Sequence, residues 1–149
     1  MYDFWVEKTK IYHTNKNGYF LKIKKKLFSS TFEIRALTKD QHLEMFKIFE
    51  MYYEHTKFEV FLNDLLSKQK VILLCDKENN IRGFSTLTEF QLEIEGKVHH
   101  IIYSGDTIIS SDFRGTSALT MEFLKNIIQA KLKNIRTPVS VSYTHLRAH

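Results

Sequence analysis

The stretch Ser110-Ser111-Asp112-Phe113-Arg114-Gly115-Thr116-Ser117-Ala118-Leu119 has the residue types of an anion-binding turn. It follows an apolar run from His100 to Ile109 and precedes a long amphipathic pattern, so it joins a strand to a helix. The first four N–H groups of a helix have no intrahelical partner, and the helix dipole adds partial positive charge there. A strand–loop–helix unit of this kind turns several N–H groups toward one point, where a phosphate can be cradled.

Other chemistry-bearing residues form weaker sets. Adjacent strand residues point to opposite faces, so His99 and His100 cannot chelate one ion. The remaining histidines lack ligand spacing with any Asp, Glu or Cys. Cys75 is the single cysteine, which excludes an intramolecular disulfide and a cysteine zinc site. No Ser/His/Asp or Cys/His set has supporting context.

The 149 residues suffice for one domain with a substantial core. At 43% hydrophobic and 26% charged, the composition is that of a soluble globular protein. No apolar run approaches the roughly 20 residues of a membrane span, and Met1 to Lys10 has no apolar core of a signal peptide. A cytoplasmic protein with no membrane partner is expected. The net charge of +5 is carried by residues 1–28, where seven lysines face Asp3 and Glu7, and the rest of the chain is balanced. Such a basic segment either solvates an edge strand or attracts acidic partners.

The elements that must position the loop are legible in order. Tyr19 to Phe28 alternates Leu21, Ile23 and Leu27 with lysines, which predicts an edge strand, and Glu33 to Leu37 is a second short strand candidate. Thr38 and Gln41 have capping-box spacing ahead of a stripe of Leu43, Phe46, Phe49 and Tyr53, widened by Met45, Ile48 and Tyr52. Thr56 and Glu59 repeat that spacing before Phe58, Phe61, Leu62, Leu65 and Leu66. Val71 to Cys75, Ile81 to Glu93 and Lys97 to Ile109 predict an antiparallel meander with turns at 76–80 and Glu95-Gly96. A third helix over about 116–133 is expected to bury Ala118, Met121, Leu124, Ile128 and Leu132.

This order, with the loop, resembles the N-terminal two-thirds of the GNAT superfamily of N-acyltransferases over about residues 32–136. Gly83 in Ile81-Arg82-Gly83-Phe84 resembles the family's strand start, and Asp106-Thr107-Ile108-Ile109 the end of the strand that pairs with pantetheine. Phe113-Arg114-Gly115 resembles the step before the pyrophosphate loop. Laid on the family pattern Gln/Arg-x-x-Gly-x-Gly/Ala, Arg114 fits, while Ser117 and Leu119 replace the two small positions. Leu119 is expected to crowd the cofactor side of the first turn.

The resemblance implies an α+β fold, with a central, mostly antiparallel sheet flanked by helices and the last family elements missing. It implies an extension at 1–31 and a domain at 32–139. Residues 140–149 resemble a translated adapter tail, so the natural chain is expected to continue past about residue 139. Acetyl-CoA is the implied acyl donor. Ile108 and Ile109 would pair with pantetheine, and the N–H groups of Gly115, Thr116, Ser117, Ala118 and Leu119 would hold the pyrophosphate. Arg114 would add charge or pair with Asp112. Asp106 is the implied base or else a strand-stabilising carboxyl, with Glu89 and Glu93 behind it. The expected partner is a small-molecule or peptide amine acceptor rather than nucleic acid, and self-association of uncovered faces is compatible with this reading. The alternative is a non-catalytic GNAT-like domain that binds a partner or nucleic acid through the basic segment 16–26.

Overall fold

A strand from Ile81 to Ile94 turns at Glu95 and Gly96 and returns as Lys97–Ile109, and this long hairpin is the spine of the computed structural model. Both turn residues have positive φ, 51° and 73°, as a two-residue hairpin loop with the right-handed strand twist requires. The structure describes residues 26–143 and three short strands, β1 (Val6–Glu7), β2 (Lys10–Thr14) and β3 (Phe20–Lys22), which pair antiparallel. The remaining order is β4 (Phe28–Glu33), α1 (Lys39–Phe49), α2 (Phe58–Ser67), β5 (Lys70–Cys75), β6 and β7 of the spine hairpin, α3 (Ala118–Lys133) and β8 (Val139–Tyr143).

These strands form one sheet in the order β4-β5-β6-β7-β8, antiparallel except for β7 and β8. A parallel neighbour needs a crossover, and α3 supplies it. The α+β class and the meander are therefore as expected. The strand expected over 19–28 is seen only as β3 and the start of β4 at Phe28; residues 19 and 23–25 of that segment lie outside the described residues. Glu33 to Leu37 is not a strand: Ile34–Ala36 is a 3-10 turn that drives Ile34, fully buried, under α1 and α2. Most of the basic segment 16–26 and residues 144–149 of the expected tail also lie outside the described residues; β8 takes in Ser140 to Tyr143.

Alternation along β5 assigns the two layers. Val71 and Leu73 join Met45, Ile48, Phe61, Leu65, Phe84 and Ile108 beneath α1 and α2, while Ile72 and Leu74 face Leu27, Leu87, Phe113, Leu119 and Phe123 beneath α3. Each such buried side chain contributes about 1.5–3 kcal/mol. The Thr38–Gln41 capping box forms as expected, with bonds of 2.9 and 3.2 Å. The second does not: α2 begins at Phe58, Lys57 is its N-cap, and no side chain caps it. Thr56 therefore stands one residue too early. Along α1 the deepest residues are Met45 and Ile48, against the sheet, while Phe46 and Phe49 pack on Phe61 of α2 and Leu43 is exposed.

The third helix is turned away from its expected register. Met121, Leu124, Ile128 and Leu132 are 61%, 47%, 51% and 66% exposed, and Glu122, Asn126 and Ala130 are buried instead. Polar anchoring explains this. Thr31 of β4 donates to Glu122 at 2.8 Å and accepts from the Asn126 amide at 2.7 Å. Leu119 and Phe123 fill the remaining contact with the sheet.

Candidate functional site

The loop after β7 is held from below. The Ser110 N–H donates to the Arg82 carbonyl at 2.8 Å, and a 3-10 turn over Ser111–Phe113 drops the Phe113 ring into the core under α3. The Arg82 guanidinium stands 5.7 Å from that ring and bonds Asp76 at 2.7 Å. Asp76 is buried and also accepts from the N–H groups of Glu78 and Asn80. Burial opposes its ionisation, but the bonds from Arg82 and Asn80 outweigh that and hold its carboxyl below the usual range.

Above this floor the backbone turns. Gly115 has φ +79°, and a Cβ there would meet nothing within 4 Å, so glycine is needed for conformation rather than for space. Ser117, the N-cap of α3, makes no side-chain cap bond, and the hydroxyl of Thr116 is buried without a partner. Both leave hydrogen-bonding capacity unused at the positive end of a sixteen-residue helix. Leu119 does not crowd this side, because it packs inward with Leu27, Ile72, Leu74 and Leu87. Arg114 is exposed, its guanidinium 5.6 Å from the ring of Tyr52.

Below the loop, the described pairing of β7 with β8 ends at Ser104. β8 pairs with it only from His100 to Ser104, and from Gly105 to Ile109 no strand lies on that edge among the described residues. On its other edge β7 pairs with β6, where the register slips between Ser85 and Leu87 opposite Thr107 and Ser104. This bulge re-aims Gly105 and Asp106. The Ile108 carbonyl, expected to pair with pantetheine, instead faces β6, 2.7 Å from where a Cβ on Gly83 would stand. The Ile109 carbonyl accepts from the Tyr52 hydroxyl at 3.1 Å.

Asp106 is half-buried on the α1/α2 side, near Asp64 of α2 and Lys68 at the end of that helix. Burial pushes its pKa up, the Asp64 charge adds to this, and Lys68 opposes it. Burial also raises the pKa of the nearby Tyr53 phenol, helped by the Asp106 charge. Lys68 reaches Asp64 at 3.0 Å. Thr86, 1% exposed on β6, has a hydroxyl with no partner.

The family resemblance pointed to Asp106 and to the loop; Asp64, Lys68 and Thr86, which the structure places around Asp106 and Gly105, were not singled out in the sequence. The only local signal among these was the i, i+4 pairing of Asp64 with Lys68, common on any helix. Glu89 is engaged elsewhere. It bonds Lys70 at 2.6 Å and His100 at 3.0 Å, which together overcome its burial and lower its pKa. Glu93 is exposed. Among the described residues no group of three His, Cys, Asp or Glu could hold a metal, and no helix is long and apolar enough to cross a membrane.

No protein-family model and no curated protein matches the chain. Solved structures do. An aminoglycoside N-acetyltransferase in complex with CoA is 9% identical, with a TM-score of 0.55 over 82% of this chain and 78% of that one. The ribosomal-protein-alanine N-acetyltransferase of Brucella melitensis biovar Abortus 2308 is 9% identical, with a TM-score of 0.56 over 81% and 83%. An aminoglycoside acetyltransferase from an uncultured soil metagenomic sample, in complex with sisomicin, is 14% identical, with a TM-score of 0.52 over 78% and 76%. At such identities the likeness establishes the fold.

Proposed function

We propose that this chain, whose fold is that of the GNAT-type N-acetyltransferases, transfers an acetyl group from acetyl-CoA to an amine. The observation that carries this reading is the N-terminus of α3, where Ser117 makes no side-chain cap bond and the neighbouring Thr116 hydroxyl is buried without a partner. An extended amide chain can pair with the Ile109 carbonyl, as an added strand does, by displacing the Tyr52 hydroxyl. Its pyrophosphate then meets the backbone N–H groups from Gly115 to Leu119, the spare hydroxyl of Thr116 and the charge of Arg114. The orphaned Thr116 hydroxyl is the fit that favours a polar ligand there. Acetyl-CoA, when bound, supplies the acyl group as an activated thioester.

Asp106 is suited to take the proton of an incoming ammonium. A carboxylate of raised pKa is a stronger base than an ordinary one at neutral pH. A small-molecule amine acceptor is supported by the sisomicin complex of a structural neighbour.

Calorimetric titration of acetyl-CoA tests the reading. Saturable micromolar binding that weakens at least about tenfold in Arg114→Glu is expected. Absence of binding would retire it and leave the fold as a scaffold.

A further inference from the structure

The hairpin of β6 and β7 runs on past the strand beside it. β5 accompanies β6 only as far as Leu87, which stands opposite Lys70, so from Thr88 to Ile94 no strand lies on that edge of β6 among the described residues. Ile94 and Lys97 close a two-residue loop and exchange main-chain hydrogen bonds, which turns the N–H and C=O groups of Glu93, Gln91 and Glu89 to the open side. Glu89 agrees with this alternation. Its N–H donates to the Gln69 side-chain oxygen at 2.9 Å, and its carbonyl accepts from the Gln69 amide at 3.0 Å. Gln69 thus fills the first outward position, and the turn at Glu95 and Gly96 ends the strand at the other end. Between these two stops lies the bare edge from Phe90 to Ile94. Phe90, Leu92 and Ile94 are 43%, 49% and 41% exposed on one face, and Gln91 and Glu93 are exposed on the other. A bare edge beside apolar side chains is a template for another strand.

We propose that this edge pairs antiparallel with the same edge of a second copy of the chain, about a two-fold axis at Leu92. A second copy fits because the segment is its own complement in that register. Gln91 stands opposite Glu93 of the second copy, and Glu93 opposite Gln91 of the second copy. Both outward-facing residues then exchange main-chain hydrogen bonds, and no like charges face each other. On the other face Leu92 meets its own counterpart, and Phe90 meets Ile94 of the second copy. The neighbouring two-fold registers lack this match. Centred on Glu93, the pairing sets two carboxylates opposite each other; centred on Gln91, it needs the main chain of Glu89, which Gln69 already holds. The contact is isologous and closes at two copies. One short strand is less than the roughly 800 Å² per partner of a standard interface, so the dimer is expected to form at tens of micromolar.

The test is sedimentation velocity of the full chain over roughly 5–500 μM, where a monomer is expected to pass into a dimer and no larger species. Gln91→Glu sets like charges across the axis twice and should weaken dimerisation about tenfold, whereas Gln91→Lys faces Glu93 of the second copy and should strengthen it by a similar factor. Gln91 is exposed, so both variants should fold as the parent does. Net charge alone predicts the opposite signs, because the chain carries +5 and added lysine increases its self-repulsion. A monomer at every concentration would leave this edge to another segment or partner and overturns the proposal. Species larger than a dimer, or the two substitutions moving the equilibrium in the same direction, overturn it as well.

Discussion

The phenol of Tyr52 donates to the carbonyl of Ile109 at 3.1 Å, tying the turn after α1 to the last residue of β7. A ligand that pairs with the Ile109 carbonyl must displace this bond. Tyr52→Phe removes the competitor and keeps a ring beneath Arg114. Acetyl-CoA affinity is therefore expected to rise about two- to tenfold, the range of one net hydrogen bond. Because Tyr52 is exposed, stability should fall by less than about 1 kcal/mol. Calorimetry that shows weaker binding instead would mean the hydroxyl positions the loop.

The register of α3 can be tested by substitution. Asn126→Leu removes the amide that donates to Thr31 and to the Glu122 carbonyl, at an expected cost of about 1–3 kcal/mol in urea unfolding. Leu132→Ser, on the exposed stripe, should stay within about 0.5 kcal/mol of the parent. The opposite ranking would restore the apolar stripe to the core.

Two glycines near the loop should respond differently. Gly83→Ala drives a Cβ to 2.7 Å from the Ile108 carbonyl and 3.1 Å from Ile109 Cα, so β6 and β7 must part, costing about 1–3 kcal/mol. Gly115→Ala meets no atom and pays only for its positive φ, about 1–2 kcal/mol. Hydrogen exchange separates them: Gly83→Ala should loosen both strands, Gly115→Ala only the loop and the first turn of α3.

Acid should weaken the fold through Asp76 and Glu89. Both have folded pKa values below their unfolded ones, so their contribution is complete above the unfolded pKa, near 4, and is lost as pH falls through the folded values. Asp106 acts oppositely. Its raised pKa contributes stability that is complete below the unfolded value and lost as pH rises through the folded one. Urea midpoints are expected to drop below about pH 4, with a smaller drop in Asp76→Asn. A midpoint independent of pH over that range would mean the Arg82 and Lys70 contacts do not persist in solution.

Much of this molecule was legible in its sequence because the signals are local. Strand period, turn residues and capping spacing act over a few positions, so the 97–109 strand was read to its observed bounds, the 81–93 strand to within one residue, and the Thr38–Gln41 box correctly. Periodicity reports which residues share a face, but not which way that face points. The apolar stripe of α3 was plain in the sequence, yet Thr31, ninety-five positions from Asn126, turns it outward through hydrogen bonds that no local pattern encodes. The site divides in the same way. Arg114, Gly115 and the loop are contiguous and were found by type. Asp64 and Asp106 come from a helix and a strand, and only the packing of α2 against β7 brings them together.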